Sequence, residues 1–226
     1  MELFWLTRSS DDVPADDAWL SPAERVVLGN LRFDKRRRDW RLGRYTAKQA
    51  LRQGWSATCG GAPPIQLGIL AADDGAPEIR GCDAPGPSFS LSHSGGLALC
   101  VIGSPGTRVG CDLEQIEPRT PALVEDFFAP EEQARIAAVP PEQRALSVTL
   151  IWSAKESALK LLRTGLRADT RTVVARWPAT RTRRGWSPLE VSVPEHVEPL
   201  SGWWQALGEF ILTTVSLPSA PAPTPL

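Results

Sequence analysis

Four short strand-like runs, IQLGIL, PSFSLSH, LALCVIG and RVGCDLE, follow one another between residues 65 and 114, with the turn residues DDG, SGG and SPG between them. Runs of this length, bounded by Gly, Pro, Asp and Ser, read as strands. Helical patterns stand on both sides of the group. Ser21-Pro22 reads as a helix start, with Pro22 at the first helical position and Glu24 three residues after the cap. A second helix is predicted from about Lys35 to Gln53, ended by a loop at Gly60-Gly61 and Pro63-Pro64. Helical pattern returns from about Pro130 to Val139 and from Gln143 to Leu162. Further strands are expected at LFWL, TVVARW, PLEVSV and EFILTTVSL, and the Pro-rich PSAPAPTPL reads as a disordered tail. Such a mixture is α+β rather than a regular βαβ alternation. No sequence repeat is strong enough to prove a duplication.

Composition excludes several classes. The 226 residues suit one large domain or two modest ones, and 42% hydrophobic with 23% charged residues is ordinary for a soluble globular protein. The longest apolar run, LALCVI, is far below the ~20 residues needed to cross a bilayer. MELFWLTRSSDD has no basic start followed by an apolar stretch, so a cytoplasmic protein is expected. Cys59, Cys82, Cys100 and Cys111 form no Cys-x-x-Cys pair and read as free thiols. With only His93 and His196 available, any metal would be held mainly by carboxylates.

The net charge of −1 gives no general affinity for nucleic acid, yet charge is segregated along the chain. Arg32 to Arg44 holds seven basic residues and two acids; Asp112 to Glu142 holds eight acids and two arginines; Lys160 to Arg184 holds eight basic residues and one acid. The alternation suits a metal ion held beside a polyanionic ligand, and a plain solvated surface is compatible with it too.

Particular residues sharpen this. On a strand, Asp112 and Glu114 point to one face and Cys111 and Leu113 to the other. Two carboxylates side by side repel unless a cation lies between them, and an oxygen-only pair suits Mg²⁺; a wet edge strand is the simpler alternative. In IWSAKESALKLLRTGL, Ile151, Ala154, Ala158, Leu161 and Leu162 form an apolar stripe, with Trp152, Glu156, Lys160 and Arg163 on the adjacent face. Glu156 and Lys160 could be an ordinary surface ion pair. Lys155 falls near the apolar edge, an odd place for a cation unless it reaches an anion. Arg37, Arg41, Arg44 and Lys48 share a helix face, and their repulsion would be relieved by an anionic ligand. SFSLSHSGG carries Ser92 and His93, but without the G-x-S-x-G elbow, and neighbouring side chains diverge on an extended backbone. Phosphate contact by this pair, or a structural turn, is the more economical reading than a hydrolase.

In this order the segments resemble the Sfp-type 4′-phosphopantetheinyl transferases, from about Ser21 to Leu166. GCDLE corresponds to the family's G-[IV]-D-[IVL]-E, WSAKESALK to W-[ST]-x-K-E-[AS]-x-x-K, and SLSHSGG to S-[IL]-S-H-[ST]. DDGAP is similar to the G-x-P element and KRRRDWRLGRYTAK to the K-R-x(6)-G-R-x-x-x-[KR] helix. Two departures stand out: the family's frequent Lys within G-x-P is Ala76 here, and its Gly-x-Gly-Leu after the last Lys reads RTGL.

The resemblance implies two similar α+β halves packed face to face about a pseudo-twofold axis, residues 1–106 and 107–217, followed by the tail 218–226. Coenzyme A would lie in the cleft between the halves. The implied reaction moves phosphopantetheine from coenzyme A to a serine of an apo acyl or peptidyl carrier protein and releases 3′,5′-ADP. By the same resemblance Asp112, Glu114 and Glu156 would hold Mg²⁺, and Glu156 and Lys160 would be catalytic. Arg36, Arg44, Lys48, Ser92, His93, Lys155 and Lys160 would bind coenzyme A. A monomer is expected, with its site near residues 104–110, no nucleic-acid or membrane partner, and a fatty-acid, polyketide, nonribosomal-peptide or siderophore carrier unspecified. A coenzyme A-binding protein of the same fold without turnover is the alternative.

Overall fold

The computed structural model describes residues 1–55, 67–81, 86–178 and 185–226. The first half runs β1 (Leu3–Ser9), α1 (Pro22–Asn30), α2 (Asp34–Gly54), a hairpin of β2 (Gly68–Ala71) and β3 (Pro77–Arg80), β4 (Ser88–Ser94) and β5 (Leu97–Gly103). The second runs β6 (Arg108–Gln115), α3 (Pro121–Phe127), α4 (Pro130–Ala138), α5 (Pro141–Leu162), β7 (Val174–Arg176), β8 (Ser187–Ser192), β9 (Leu200–Leu207) and β10 (Phe210–Leu217), after which comes β11 (Thr224–Pro225). The expected loop at Gly60 to Pro64, the start of IQLGIL, Cys59 and Cys82 lie outside the described residues. Among the described residues no helix is long and apolar enough to cross a membrane.

Two sheets organise the chain, in strand order β11-β1-β5-β4 and β6-β10-β9-β8-β7. In each, the first strand of its half lies antiparallel to the last, with Leu6 opposite Cys100 and Asp112 opposite Thr213. Strand β5 is apolar throughout because both its faces are covered. Cys100 and Ile102 pack with Ala47, Ala50 and Leu51 of α2, while Leu99 and Val101 join Val109, Cys111, Leu113 and Leu212 in a core shared by the two halves. The period of two seen in β6 has the same origin: Cys111 and Leu113 enter that shared core, and Gly110, Asp112 and Glu114 lie on the other face.

Helix α5 covers that other face at very close range. A Cβ placed on Gly110 would stand 1.9 Å from the Ser157 carbonyl oxygen, so no side chain fits where the two backbones cross. The apolar stripe expected on α5 is real, with Ala154, Ala158 and Leu161 packed against Ile211, Val215 and Leu189.

Each half also contains a fully enclosed Lys–Glu pair. Lys48 Nζ lies 2.7 Å from Glu24 Oε2 and donates to the Trp19 carbonyl oxygen at 3.0 Å, while Glu24 Oε1 accepts the Ile69 N–H at 3.0 Å. Lys155 Nζ lies 2.7 Å from Glu132 Oε2 and donates to the carbonyl oxygens of Thr170 and Val173, while Glu132 Oε1 accepts the Ala175 N–H at 2.9 Å. Both glutamates sit in the first turn of a short helix that begins with proline and also accept a backbone N–H from the cap, Ser21 or Ala129. Their other carboxylate oxygen accepts an amide 45 or 43 residues further on, so each pair ties a long helix to a short helix and a strand.

The expectation of a disordered tail is corrected. Strand β11 pairs parallel with β1, placing Phe4 opposite Thr224, and the Leu226 N–H donates to the Trp5 carbonyl oxygen at 3.0 Å. Leu226 packs beside the α2 core and Ala220 is buried in the shared core. Prolines cannot donate a ladder hydrogen bond, but at a sheet edge none is required of them.

Lys155→Met should destabilise the protein by about 3–5 kcal/mol, because it strands a buried carboxylate, and Lys155→Met with Glu132→Leu should recover much of that loss. Gly110→Ala should cost about 1–3 kcal/mol or more, because helix and strand must move apart. Denaturant titrations check both; a double variant no better than the single, or a Gly110→Ala protein as stable as the parent, would contradict this packing.

Candidate functional site

The loop from Gly103 to Arg108 joins β5 to β6, and a cleft opens where the halves meet. It has a volume of about 730 Å³ and is lined by Arg36, Trp40, Gly43, Arg44, Ser92 and His93 of the first half and Lys160 of the second. Arg36, Arg44, Ser92, His93 and Lys160, expected together from sequence, are thus brought together. Gly43 allows the approach of helix to strand: a Cβ there would lie 3.1 Å from Leu91 Cδ2 and 3.7 Å from His93 Cδ2. Arg44 is oriented by its Nε, which donates to the Ile69 carbonyl oxygen at 2.8 Å, and by the Trp40 ring, 5.0 Å from its guanidinium carbon. Desolvation holds the His93 imidazole below its usual pKa, with Lys160 and Lys35 adding and Asp39 opposing. An anion entering beside these cations raises the imidazole pKa and favours its protonation.

Lys160 joins the cleft to the carboxylates. Its Nζ donates to Asp112 Oδ1 at 2.7 Å and to Ser92 Oγ at 3.0 Å, and the Ser92 hydroxyl donates to Asp112 Oδ1 at 2.8 Å. Burial alone would lower the Lys160 pKa, but Asp112, Cys111 and Glu156 around it hold it above the usual value. An ammonium has three donors, so one remains free to meet a ligand. Lys160 also lines a second, mainly apolar cavity of about 710 Å³ that continues from the cleft past Gly75, Pro77 and Leu91 and has Glu156 in its wall.

Asp112 is buried behind Lys160, and its Oδ2 has no hydrogen-bond partner. Glu114 is held by Arg119, whose Nη2 donates to Oε2 at 2.8 Å. Desolvation raises the Glu114 and Glu156 pKa values, and Asp112 adds to both. As arranged here, no three His, Cys, Asp or Glu side chains among the described residues converge on one metal position. The donor set nevertheless fits a hard divalent cation: oxygen ligands only, one buried oxygen without a donor, and an Asp112 charge that raises the pKa of both Glu114 and Glu156.

Two expectations are corrected. Lys48 and Lys155 do not line the cleft; each is enclosed and paired to a glutamate, which is the anion that explains Lys155 at the apolar edge of its helix. Burial pulls both ammonium groups below their ordinary pKa and the paired carboxylate opposes this. Ser92 lines the cleft, and its hydroxyl donates to Asp112 Oδ1. The shared face of α2 is not an anion stripe either. Arg37 donates to the carbonyl oxygens of Leu28 and Leu31, and Arg41 to those of Pro14, Ala15 and Asp16, so protein oxygens relieve the repulsion.

Sequence reasoning missed Trp40, Arg119 and the glutamates Glu24 and Glu132. The last two carry a signal: Pro22 and Pro130 each stand two residues before one of them, at the start of a helix.

A family profile described as the 4′-phosphopantetheinyl transferase superfamily matches residues 108–214. The chain is 29% identical over 185 residues to 4′-phosphopantetheinyl transferase HetI of a Nostoc species, covering 79% of this chain and 75% of that one. It is 31% identical over 106 residues to a 4′-phosphopantetheinyl transferase of Bacillus subtilis, covering 47% of this chain and 46% of that one. It is also 38% identical over 74 residues to 4′-phosphopantetheinyl transferase AcpT of Salmonella typhimurium, covering 32% of this chain and 38% of that one.

A carboxyl whose folded pKa lies above its unfolded value binds more protons when folded, so it lowers stability as pH rises from the unfolded value through the folded one. In metal-free protein, Glu156→Gln should therefore melt above the parent at neutral pH and level with it below about pH 4. Thermal melts across that range check this; a variant no more stable at neutral pH would contradict the crowded carboxylates.

Proposed function

We propose that the chain is a member of the 4′-phosphopantetheinyl transferase superfamily, whose profile it matches over residues 108–214, and that it transfers phosphopantetheine from coenzyme A to a serine of an apo carrier protein. The observation that carries this reading is the position of Lys160, which borders the arginine- and histidine-lined cleft on one side and hydrogen-bonds Asp112 on the other. A ligand suited to that junction has a phosphate on its nucleotide end and a pyrophosphate able to reach the carboxylates, as coenzyme A has. The two halves we read as related by a pseudo-twofold axis, supported by their matching strand order and matching Lys–Glu pairs. Cations and carboxylates come from one chain, which supports a working monomer.

In this mechanism Arg36, Arg44 and His93 hold the nucleotide phosphates, and His93 takes up a proton as they bind. Asp112, Glu114 and Glu156 would hold Mg²⁺, with Glu114 turning from Arg119 to do so. The ion, when bound, supplies charge neutralisation on the pyrophosphate oxygens. Ser92 and Lys160 fix the Asp112 carboxylate, and the free donor of Lys160 faces the departing phosphate. Glu156 takes the proton of the carrier serine. The serine oxygen bonds to the phosphorus that bears pantetheine, that phosphorus separates from the bridging oxygen, and 3′,5′-ADP leaves with the electron pair.

The test is mass spectrometry of an apo carrier protein incubated with coenzyme A, Mg²⁺ and this protein. The carrier should gain one phosphopantetheine group. Glu156→Gln should lower kcat about 10²-fold or more, and His93→Ala should raise KM for coenzyme A while leaving the fold intact. Tight coenzyme A binding with no mass gain on fatty-acid, polyketide and peptide carriers would contradict turnover and select the binding-only alternative. Full activity in excess chelator would contradict the role given to the carboxylates.

A further inference from the structure

Arg163 follows the last turn of α5 with φ 60°, in the left-handed region that favours glycine. It stands at the first position of RTGL, where the resembling family carries glycine. The side chain leaves the second half and crosses to the first. Nε donates to Asp74 Oδ2 at 2.6 Å, and Nη2 donates to Asp74 Oδ1 at 3.0 Å and to Glu78 Oε1 at 2.7 Å. Asp74 also fastens its own turn, since Oδ1 accepts the Ala76 N–H at 3.0 Å. One carboxylate thus secures both the β2–β3 turn and a guanidinium from the far side of the cleft. Gly75 and Pro77 of that turn wall both the anion cleft and the apolar cavity, opposite Lys160 on the helix that Arg163 ends.

We propose that Arg163 is a positioning residue for coenzyme A: its two-pronged contact with Asp74 holds the Gly75–Pro77 wall in register with Lys160 across the junction. This rests on the functional reading above. It also joins the two departures from the family pattern into one contact. The turn lacks the lysine usual at position 76, and the helix end carries a cation where glycine is usual. Here the turn receives a cation from the opposite half to set its place.

Arg163→Gly tests this without risking the fold, because glycine adopts φ 60° freely. Asp74→Asn keeps an oxygen for the Ala76 N–H and removes the charge. In ligand-free protein, amide hydrogen exchange at Ala76 and along β2–β3 should speed up several-fold in both variants relative to the parent. KM for coenzyme A should rise about tenfold with a smaller change in kcat. The double variant should be no worse than Arg163→Gly alone, since the Asp74 contact is lost only once. Arg163→Lys should recover only part of the effect, because an ammonium cannot engage the carboxylate through two prongs. Unchanged exchange, unchanged KM, or additive losses in the double variant would overturn the proposal. A parent protein that transfers nothing to any carrier, with exchange faster in Arg163→Gly, would overturn the functional reading and leave the cross-junction contact standing.

Discussion

Helix α5 and strand β6 meet backbone to backbone at Gly110, and the site exists because of that contact. With no side chain to hold them apart, the Ser157 turn of the helix settles onto the strand. Glu156 and Lys160 are thereby placed over Asp112, two residues along the strand, close enough for Lys160 to hydrogen-bond it at 2.7 Å. The opposite face of the same strand enters the core shared with the first half. One strand therefore positions the carboxylates and fastens the half that carries them to the half that carries the arginines.

A second constraint is the disposal of positive charge. The chain carries 25 lysines and arginines, and many of those described are matched within the protein. Lys48 and Lys155 neutralise buried glutamates, Arg37 and Arg41 bind backbone carbonyl oxygens, Arg119 holds Glu114 and Arg163 holds Asp74. Removing one member of a buried pair leaves a desolvated charge, so these pairings define the long helices sharply even where their net contribution to stability is small. Among the described residues Arg36, Arg44, His93 and one donor of Lys160 face the cleft, beside Lys35, which is paired to Asp39.

The sequence disclosed local structure well wherever a single element sufficed. The Ser21–Glu24 cap, the α2 and α5 helices and the two-residue period of β6 follow from spacing alone, and each is present. Strands β3 and β9 and helix α3 were not legible: PEIR and PALVEDF are short, and the LSGWWQAL run is placed by its neighbours β10 and β8. The tail failed for the same reason, since its order comes from β1 and the α2 core, not from its own composition. Among site residues, motif spacing located the helix face but not the partner. Lys48 and Lys160 look alike in sequence; one faces Glu24 in the interior and the other faces Asp112 at the cleft, and only tertiary packing separates them.

The most direct test of the account is a crystal structure of the protein with coenzyme A and Mg²⁺. Nucleotide phosphates should contact Arg44 and His93 of the first half, and the pyrophosphate should lie against Lys160 with the metal on Asp112 and Glu156. A nucleotide held by one half alone, or a metal bound away from Asp112, would contradict a site assembled at the Gly110 crossing.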